Sequence, residues 1–318
     1  MATTATAPDE RSLERALEAS NAYTAQVDAQ LAAASAPLAA DAWFSTEHDE
    51  TTLGAATFTA NHPNDFGALW GALETSQLTL LRGASKAAAG DIIDQWIEWS
   101  MPQFTGTLTR ERACEITLPS RDSAIVQTML DRGFSVTSVT GVRSHSAPGD
   151  PAQHLDALAA QGITLRQAAA SDAGLIAEMD VELLTHDSQH GGVSLREGAG
   201  RHLQGGIQTR LTKHPEWTWI IEHEGAPIGY LSLEIDEPRH VATLAPGGRI
   251  AYIQAMYLRP SARGSRVGES VTLFAHALTH EAGIERGLLG YAALNPRSGP
   301  FWCRMGYRPL LSTWHKRV

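Results

Sequence analysis

The sequence predicts an α/β fold, arranged as two successive domains. Three observations lead to this prediction. Strand-like and helix-like apolar runs alternate through the second half, the length of 318 residues exceeds that of one ordinary domain, and the two halves end on similar segments. With 43% hydrophobic and 19% charged residues, the chain can bury a sizeable core.

Charge and cysteine content narrow the classes of partner. A net charge of −10 argues against nucleic acid or an anionic membrane, and it suits a cationic or amine substrate. Cys114 and Cys303 are too few for a disulfide framework, and each lies beside apolar residues as a small core residue would, so we expect a reducing cytoplasm. Neither a secretory signal nor an uncharged stretch of membrane-spanning length is visible.

The first domain is predicted over residues 35–145, after an N-terminal helix and tail over 1–34. Leu13, Leu17, Tyr23 and Val27 recur at near-helical intervals, which predicts an amphipathic helix from Ser12 to about Ala34. A second helix is predicted over 91–99. Both follow from apolar residues that share one helical face.

The two halves of the chain close in the same way. A helix opening at 120–122 is followed by Gly133-Phe134 and a strand over 136–142, and the segment 303–307 likewise leads through Gly306-Tyr307 into a strand. This similarity predicts an internal duplication, which requires a second mixed sheet in the first half. The first half carries no convincing phosphate-binding loop after Arg82-Gly83, so we expect it to be structural or to shape the substrate pocket.

The second domain is predicted over residues 161–318, after a linker over 146–160 that is suggested by its proline and glycine. Periodicity and turn residues predict its elements in order. These are a strand at 163–166, a helix from Ser171-Asp172, a helix at 197–211, a hairpin of strands 217–222 and 228–235, a loop at 238–248, and strands at 250–258 and 288–294.

Residues 258–269 form a strand exit, a short basic loop and the start of an apolar-faced helix. Backbone amides at a helix start have no internal acceptor and the helix dipole favours an anion there, so the segment predicts a phosphate site. Arg263 and Arg266 add positive charge. Taken alone, the same loop is equally compatible with an ordinary solvated strand-to-helix turn.

A second block, residues 295–307, follows the strand at 288–294 and ends in the Gly-Tyr step. Strand, Arg-Gly loop, helix, strand, Asn295, short helix and Gly306-Tyr307, in that order, resemble the GNAT superfamily of acyl-CoA-dependent N-acyltransferases, from about Ile163 to the C-terminus. The resemblance implies a mixed, splayed central sheet flanked by helices, with pantetheine between strands 250–258 and 288–294. The first half would then be a degenerate GNAT-like domain in tandem.

The resemblance also implies a set of cofactor-binding residues. The pyrophosphate would be bound by Arg263, Gly264, Ser265, Arg266, Val267 and Gly268, and the pantetheine aligned by Met256, Tyr257 and Leu258. A freed backbone amide on that strand would stabilise the oxyanion. Asn295 would hydrogen-bond the cofactor arm, and Trp302 would wall the thiol end.

Two departures from the family pattern affect this site. Arg266 replaces the first of two glycines; a left-handed backbone there would cost about 1 to 2 kcal/mol, and we expect the ordinary helical region instead. Trp302 stands where relatives often carry a tyrosine that protonates the thiolate. An indole N–H donates a hydrogen bond but delivers no proton, so the thiolate leaves unaided or another donor acts.

The catalytic candidates lie on the strands before the loop. Many relatives place a glutamate where this chain has Gln254, which can hold a water but cannot act as the base. Glu234 is therefore the first candidate base, with Tyr252 positioning substrate or water; a solvated strand-end glutamate is the alternative. His186 and Asp187 are predicted to contact the substrate amine, or to lie in a solvated loop. With His190 they suggest a metal, but no further ligand pattern follows and none is predicted.

These features predict an N-acetyltransferase that transfers an acetyl group from acetyl-CoA to a primary amine by direct attack in a ternary complex. The acceptor is a small-molecule or peptide amine, with no nucleic acid or membrane partner, and monomer and homodimer both remain open. Arg266 and Trp302 favour the alternative of a non-catalytic acyl-CoA-binding or acceptor-binding protein. A covalent route through Cys303 is disfavoured because that residue is predicted in a helix beside core residues.

Overall fold

The computed structural model describes residues 7–37, 39–144, 149–235 and 249–318 and has a mixed α/β fold. The predicted loop at 238–248 and residues 146–148 of the predicted linker lie outside the described residues. The chain divides into two compact units. Unit 1 comprises the described residues up to Val139 together with Pro309–Val318, and unit 2 comprises those from Thr140 to Arg308. No described helix is both long enough and apolar enough to cross a lipid bilayer.

Unit 1 begins with a helix and continues as three strands, after which helices and strands alternate. Its elements are α1 (Glu10–Val27), β1 (Ala42–Ser45), β2 (Leu53–Ala60), β3 (Glu74–Leu81), α2 (Lys86–Ser100), β4 (Arg112–Pro119), α3 (Ser123–Asp131) and β5 (Ser135–Ser144), along which the chain passes into unit 2.

Unit 2 repeats this alternation, and the last strand returns the chain to unit 1. Its elements are α4 (Pro151–Ala159), β6 (Ile163–Gln167), α5 (Ala173–Asp187), α6 (Ala199–Lys213), β7 (Thr218–His223), β8 (Ala226–Ile235), β9 (Ile250–Leu258), α7 (Val267–Glu281), β10 (Arg286–Ala292), α8 (Ser298–Arg304) and β11 (Arg308–Arg317).

The sheet of unit 1 is mixed. β1 and β2, and β2 and β3, pair antiparallel, β3 and β4 pair parallel, and β4 pairs antiparallel with β11. Its core is built around Trp96 of α2, which is fully buried and stacks on Phe134 with ring centroids 5.9 Å apart. The indole Nε1 donates to Ser76 Oγ at 2.8 Å, so the buried donor is satisfied.

The sheet of unit 2 is also mixed, with β6, β7, β8 and β9 successively antiparallel and β9 parallel to β10. The hairpin between β7 and β8 turns at Glu224 and Gly225, whose φ angles are 51° and 79°. Two successive positive φ angles are typical of the tight turns whose twist matches antiparallel strands. The predicted strands at 163–166, 228–235 and 250–258 are confirmed.

The sheet of unit 2 opens between β9 and β10. Their pairing runs from Ile250 and Arg286 to Ile253 and Leu289 and stops there, although β9 continues to Leu258. On the other side of β9 the register with β8 shifts, because Ser232 faces Ala255 whereas Leu233 faces Ile253, which leaves Gln254 as a bulge residue. The predicted splay is confirmed, and it leaves the second half of β9 unpaired towards β10.

The two halves of the chain share one order of elements. In the first half, β2 and β3 form an antiparallel pair and are followed by α2, the parallel strand β4, α3 and β5. In the second half, β8, β9, α7, β10, α8 and β11 follow the same order. The helices α3 and α8 each end at a left-handed glycine, Gly133 and Gly306, with φ of 77° and 88°. Mixed strand pairing is therefore present in the first half of the chain as well as in the second.

The predicted linker and domain boundaries differ from the observed units. Residues 151–159 of the predicted linker form α4, whose N-cap Asp150 accepts a hydrogen bond from the Ala152 amide at 2.8 Å. Leu158 is fully buried in the core of unit 2. Proline at the first position of a helix is favourable, so the proline at 151 begins a helix. The predicted second domain ends at residue 318, whereas the described chain rejoins unit 1 at Pro309.

Candidate active site and cofactor cleft

A cavity of about 490 Å³ lies in unit 2 where β9 and β10 have parted. Its wall includes nine of the predicted cofactor-binding residues. From β9 and the following turn these are Met256, Tyr257, Leu258, Arg263 and Gly264; from the start of α7 they are Arg266 and Gly268, and from α8 and the turn before it Asn295 and Trp302. The structure therefore brings nine of the eleven predicted residues together at one cavity, whereas Ser265 and Val267 are not part of its wall.

The start of α7 presents free backbone amides to the cavity. The first amide of this helix with an internal acceptor is that of Ser270, which donates to the Arg266 carbonyl at 3.1 Å. Within the described residues, no acceptor is recorded for the amides of Val267, Gly268 or Glu269, and no side chain caps the helix. Such an end, with the positive pole of the helix dipole, is suited to bind an anion.

Arg266 adopts the left-handed backbone conformation, with φ 64° and ψ 2°. The expectation that it would remain in the ordinary helical region is wrong. The loop keeps the shape that a glycine would adopt without strain, and Arg266 keeps it at a cost of about 1 to 2 kcal/mol. The turn before Arg266 is held by the hydrogen bond from Arg263 Nε to the Leu258 carbonyl.

Arg263 is held in place before any ligand arrives. Its Nε donates to the Leu258 carbonyl at 2.8 Å, and its guanidinium lies over the Tyr257 ring at 5.5 Å from the centroid. The Tyr257 hydroxyl in turn donates to Glu182 Oε2 of α5 at 2.6 Å. A guanidinium fixed in this way loses little further freedom when it binds a phosphate.

The cavity is strongly basic although the whole chain carries a net charge of −10. Four arginines line it against a single glutamate. They are Arg263, Arg266, Arg297 and Arg304, and the acid is Glu269. The sequence analysis missed Arg297 and Arg304 as binding residues, although both lie in the 295–307 block. Concentrated positive charge in a cleft attracts a multiply charged anion.

Asn295 uses both ends of its amide within the protein. It is buried, its Oδ1 accepts from the Arg297 and Ser298 amides at 2.9 and 3.2 Å, and its Nδ2 donates to Asp187 Oδ1 at 2.9 Å. Asn295 thus supports the first turn of α8 and ties it to the end of α5. Its side chain positions the cavity wall in this structure.

The two predicted acceptor-binding residues on α5 lie in different places. His186 lines the cavity, whereas Asp187 is not part of the cavity wall and its carboxylate accepts from Asn295. Burial and the nearby His190 lower the pKa of His186, with smaller contributions from Arg297 and Arg263, so its imidazole is neutral at neutral pH. Burial raises the pKa of Asp187. His186 therefore lies near the arginines of the cavity.

The aromatic end of the cavity is formed by α8. Trp302 is buried and meets Phe301 and Tyr307 edge to face, with ring centroids 4.9 and 5.6 Å apart. Its indole packs in the core of unit 2 while one side faces the cavity. No group of three or more potential metal ligands occurs among the described residues.

The three predicted catalytic residues lie on the strands beside the cavity but not in its wall. Glu234 of β8 faces Tyr252 of β9 in the strand register. Burial, reinforced by Glu234, raises the pKa of Tyr252 to about 12, so its phenol remains protonated at neutral pH. Gln254, the bulge residue, accepts a hydrogen bond from Arg210 of α6. These residues lie along one stretch of the β8–β9 pair.

The two cysteines differ in environment. Cys114 is fully buried as predicted, and burial raises the pKa of its thiol to about 11. Cys303 is exposed, so the expectation that it fills the core is wrong, and it does not line the cavity. The short helix α8 buries Trp302 and turns the next residue outwards.

The sequence model of the Acetyltransferase (GNAT) family matches residues 188–307. The fold is similar to that of a GCN5-related N-acetyltransferase from Sphaerobacter thermophilus, with a TM-score of 0.53 at 12% identity over 83% of this chain and 76% of that chain. A GCN5-related glucosamine N-acetyltransferase region of a fungal multi-domain GH3 β-N-acetylglucosaminidase gives 0.52 at 13% identity, over 83% of this chain and 31% of that chain. A tandem GNAT protein from the clavulanic acid biosynthesis pathway covers 99% of this chain and 97% of its own, with a TM-score of 0.49 at 14% identity. No curated protein matches the sequence.

The fold likeness reaches beyond the segment that the family model matches, because 83% of the chain is more than residues 188–307 provide. The matched segment itself contains α6, β9, α7, β10 and α8, and with them the free amides and arginines of the cleft. The match to the Acetyltransferase (GNAT) family therefore covers the segment that forms most of the cleft wall.

Proposed function

We propose that the protein is an acyl-CoA-dependent N-acyltransferase that uses acetyl-CoA and acetylates a primary amine by direct attack in a ternary complex. One observation carries the proposal. The cavity between the parted strands combines unsatisfied amides at the start of α7 with four arginines, in a chain that is acidic overall. A nucleotide thioester with several phosphates is the ligand that this combination suits.

The cofactor would lie along the cleft in a defined direction. Its pyrophosphate binds the amides of residues 264–268 and the guanidinium of Arg263. The pantetheine follows Met256 to Leu258, where β9 has no pairing with β10 and its backbone is open to an added strand-like partner. The thiol end then reaches Trp302.

The chemistry requires an amine nucleophile and a stabilised oxyanion. Glu234 accepts a proton from the substrate ammonium, directly or through a water held by Gln254 or Tyr252. The neutral amine attacks the thioester carbonyl, a C–N bond forms, and the oxyanion accepts a hydrogen bond from a backbone amide near the bulge. The C–S bond then breaks, and CoA leaves as a thiolate that takes up the proton released by the new amide nitrogen. The pKa of a thiol, about 8.5, makes this departure feasible.

The location of Cys303 supports direct transfer. A covalent route would require a thiol at the thioester, and the exposed Cys303 lies outside the cavity wall. Cys114 belongs to the buried core of unit 1.

Calorimetric titration with acetyl-CoA and a thiol-release assay against a broad amine panel test the proposal. We expect saturable binding, loss of about 10- to 100-fold in affinity for Arg263→Ala, and CoA release with at least one amine class. Arg201→Ala, an exposed arginine on α6, is the matched control and leaves both unchanged. Glu234→Gln reduces turnover far more than cofactor affinity.

Two outcomes would contradict this function. Absence of acetyl-CoA binding overturns it entirely. Tight binding without turnover on any amine supports the second candidate, a non-catalytic acyl-CoA-binding protein, which the strained Arg266 and the tryptophan at position 302 favour.

A further inference from the structure

A second polar cluster lies on the opposite face of the β8–β9 pair from α7. Leu231 and Leu233 of β8 pack into the core with Val271 of α7, so alternation directs Tyr230 to the other face. There the Tyr230 hydroxyl donates to Asp180 Oδ1 of α5, and Arg210 Nη1 of α6 donates to Gln254 Oε1. We call Asp180, Arg210, Tyr230 and Gln254 the acceptor cluster.

Arg210 forms no close ion pair among the described residues, although its charge acts on Asp180. Its only recorded hydrogen bond goes to the neutral amide of Gln254, and no carboxylate lies within salt-bridge distance among the described residues. Its Nε is buried and has no hydrogen-bond partner. A guanidinium remains charged at any physiological pH, and leaving it partly buried without an anion is unfavourable. The Arg210 guanidinium therefore has unused donors that an anionic group of a ligand can bind.

Asp180 is oriented but not saturated. Tyr230, which is fully buried, binds its Oδ1 and fixes the carboxylate, while Oδ2 has no hydrogen-bond partner among the described residues. Burial raises the pKa of Asp180 to about 6, and Arg210 acts in the opposite direction, so Asp180 is mostly ionised at neutral pH. An oriented anion with an open oxygen is suited to an ammonium group.

The acceptor cluster and the cofactor cleft share one strand, β9. Gln254 is the bulge residue of β9, two positions before Met256 of the cavity wall, and Tyr230 faces Tyr257 in the register. The cleft thus lies along the open edge of β9 and the cluster lies on its face. An amine bound at the cluster is placed beside the strand along which the thioester would run.

We propose that the acceptor cluster binds the substrate amine and selects a primary amine that also carries an anionic group, with the ammonium at Asp180 and the anion at Arg210. This inference rests on the acyltransferase function and specifies its substrate class as zwitterionic small molecules of the amino-acid type. Two opposite charges discriminate against a plain amine, because its ammonium would compete with Arg210 for Asp180 and would leave the unused donors of Arg210 unfilled.

Matched acceptor pairs test the proposal. α-Amino acids are compared with their primary amides, and phosphoethanolamine with ethanolamine, by kcat/KM in the thiol-release assay at saturating acetyl-CoA. We expect the anionic member of at least one pair to be preferred by about 10- to 100-fold, as for a charge-assisted hydrogen bond. In Arg210→Gln the preference falls towards unity while acetyl-CoA affinity stays unchanged, and Arg210→Lys recovers part of it. Arg201→Gln on the same helix retains the full preference.

Asp180→Asn tests the amine half of the site. We expect it to raise KM for the preferred acceptor by at least 10-fold and to leave binding of the corresponding acid without its amino group unchanged. Glu178→Gln, an exposed acid on α5, is the control. If the role of Asp180 were purely structural, Asp180→Asn would weaken the binding of both ligands equally, and that result overturns its assignment.

Failure of this inference is distinguishable from failure of the acyltransferase function. If acetyl-CoA binds but nothing is acetylated, the same pairs are titrated calorimetrically onto the CoA-loaded protein. Anionic amines that bind the wild type and not Arg210→Gln still support the cluster as the acceptor site. Equal binding of both members of every pair, or discrimination that survives Arg210→Gln, overturns it.

Discussion

Asn295 Nδ2 donates a hydrogen bond of 2.9 Å to Asp187 Oδ1, and this bond ties the start of α8 to the end of α5 across the edge of the cavity. Sequence reasoning assigned these two residues to the cofactor arm and to the acceptor amine. In the structure each satisfies the other, and Asn295 in addition supports the α8 amides. Their first effect is therefore on the shape of the cleft.

Asn295→Ala should destabilise unit 2 and weaken acetyl-CoA binding. The binding is weakened because the cavity wall is less well held, not because a contact with the ligand is lost. Loss of the side-chain acceptor for the α8 amides costs about 1 to 2 kcal/mol. Denaturant unfolding of Asn295→Ala, Asp187→Ala and the double variant measures the coupling. We expect the double variant to be less destabilised than the sum of the singles, and strict additivity would contradict the bond.

Arg266→Gly should stabilise the protein and weaken the binding of acetyl-CoA. Glycine adopts the left-handed conformation without strain, so the free energy of unfolding rises by about 1 kcal/mol. Removal of the guanidinium lowers acetyl-CoA affinity, which calorimetry measures. Arg266→Ala separates the two effects, because it removes the charge and keeps the strain.

Glu224→Gly provides a matched control for Arg266→Gly. Glu224 is the other non-glycine residue with a positive φ among the described residues, and it lies in the β7–β8 hairpin rather than in the cavity wall. We expect a similar gain in stability with no change in acetyl-CoA affinity. Weaker cofactor binding in this variant would show that the affinity loss in Arg266→Gly does not come from the missing charge.

Local patterns made much of the fold predictable. The strand at 250–258 is observed with the same bounds, and the helix opening after 120–122 begins at Ser123. Apolar periodicity and turn residues lie within a few positions of each other, so a single sequence reveals them. The N-terminal helix ends at Val27 rather than near Ala34, since Asp28 is already extended.

Long-range relations were not predictable in the same way. Nothing in the sequence of β11 shows that it pairs with β4, about two hundred residues earlier, rather than completing the sheet of unit 2. The contacts of Tyr230 with Asp180 and of Arg210 with Gln254 join residues 50 and 44 positions apart. The left-handed backbone of Arg266 was not predicted, because an arginine favours the right-handed conformation and the left-handed one depends on the fold of the whole turn.

Within unit 1, the position that corresponds to the cofactor cleft of unit 2 is filled by the side chains of unit 1 itself. Arg82 follows β3 as Arg259 follows β9, and it forms a buried ion pair with Asp122, directly before α3. Tyr23 of α1 covers this pair, with its ring 4.6 Å from the Arg82 guanidinium and its hydroxyl 2.8 Å from Asp122 Oδ1. The apolar face of α1 packs on Leu53 and Leu81.

One acetyl-CoA should therefore bind per chain. Isothermal titration measures the stoichiometry directly, and a value near two would contradict the closure of unit 1. Asp122→Ala removes one partner of the buried pair and should cost about 3 to 5 kcal/mol of stability. Tyr23→Phe, which keeps the ring over Arg82, should cost only about 1 kcal/mol.

Asp180 should make the protein less stable as the pH rises. Its folded pKa of about 6 lies above the ordinary aspartate value of 3.8, so its contribution to stability is fully favourable below pH 3.8 and is lost as the pH rises through 6. Asparagine at this position does not titrate and still accepts from Tyr230. Asp180→Asn should match the wild type near pH 4 and exceed it in free energy of unfolding near pH 8, as measured by denaturant titration. A difference that is constant with pH, or one shared by the exposed Glu178→Gln, would refute this environment for Asp180.

Cys303 should react with thiol reagents while the protein remains folded, and Cys114 should not. The first is exposed; the second is fully buried, and its thiol pKa is raised to about 11, so it forms almost no thiolate at neutral pH. Mass spectrometry after brief alkylation should show one label, and two after denaturation.

Because direct transfer needs no enzyme thiol, Cys303→Ala should keep kcat within about 2-fold of the wild type, whereas a covalent route would lose turnover by several orders of magnitude. Abolished transfer in Cys303→Ala, with acetyl-CoA binding intact, would replace the ternary complex by a ping-pong mechanism.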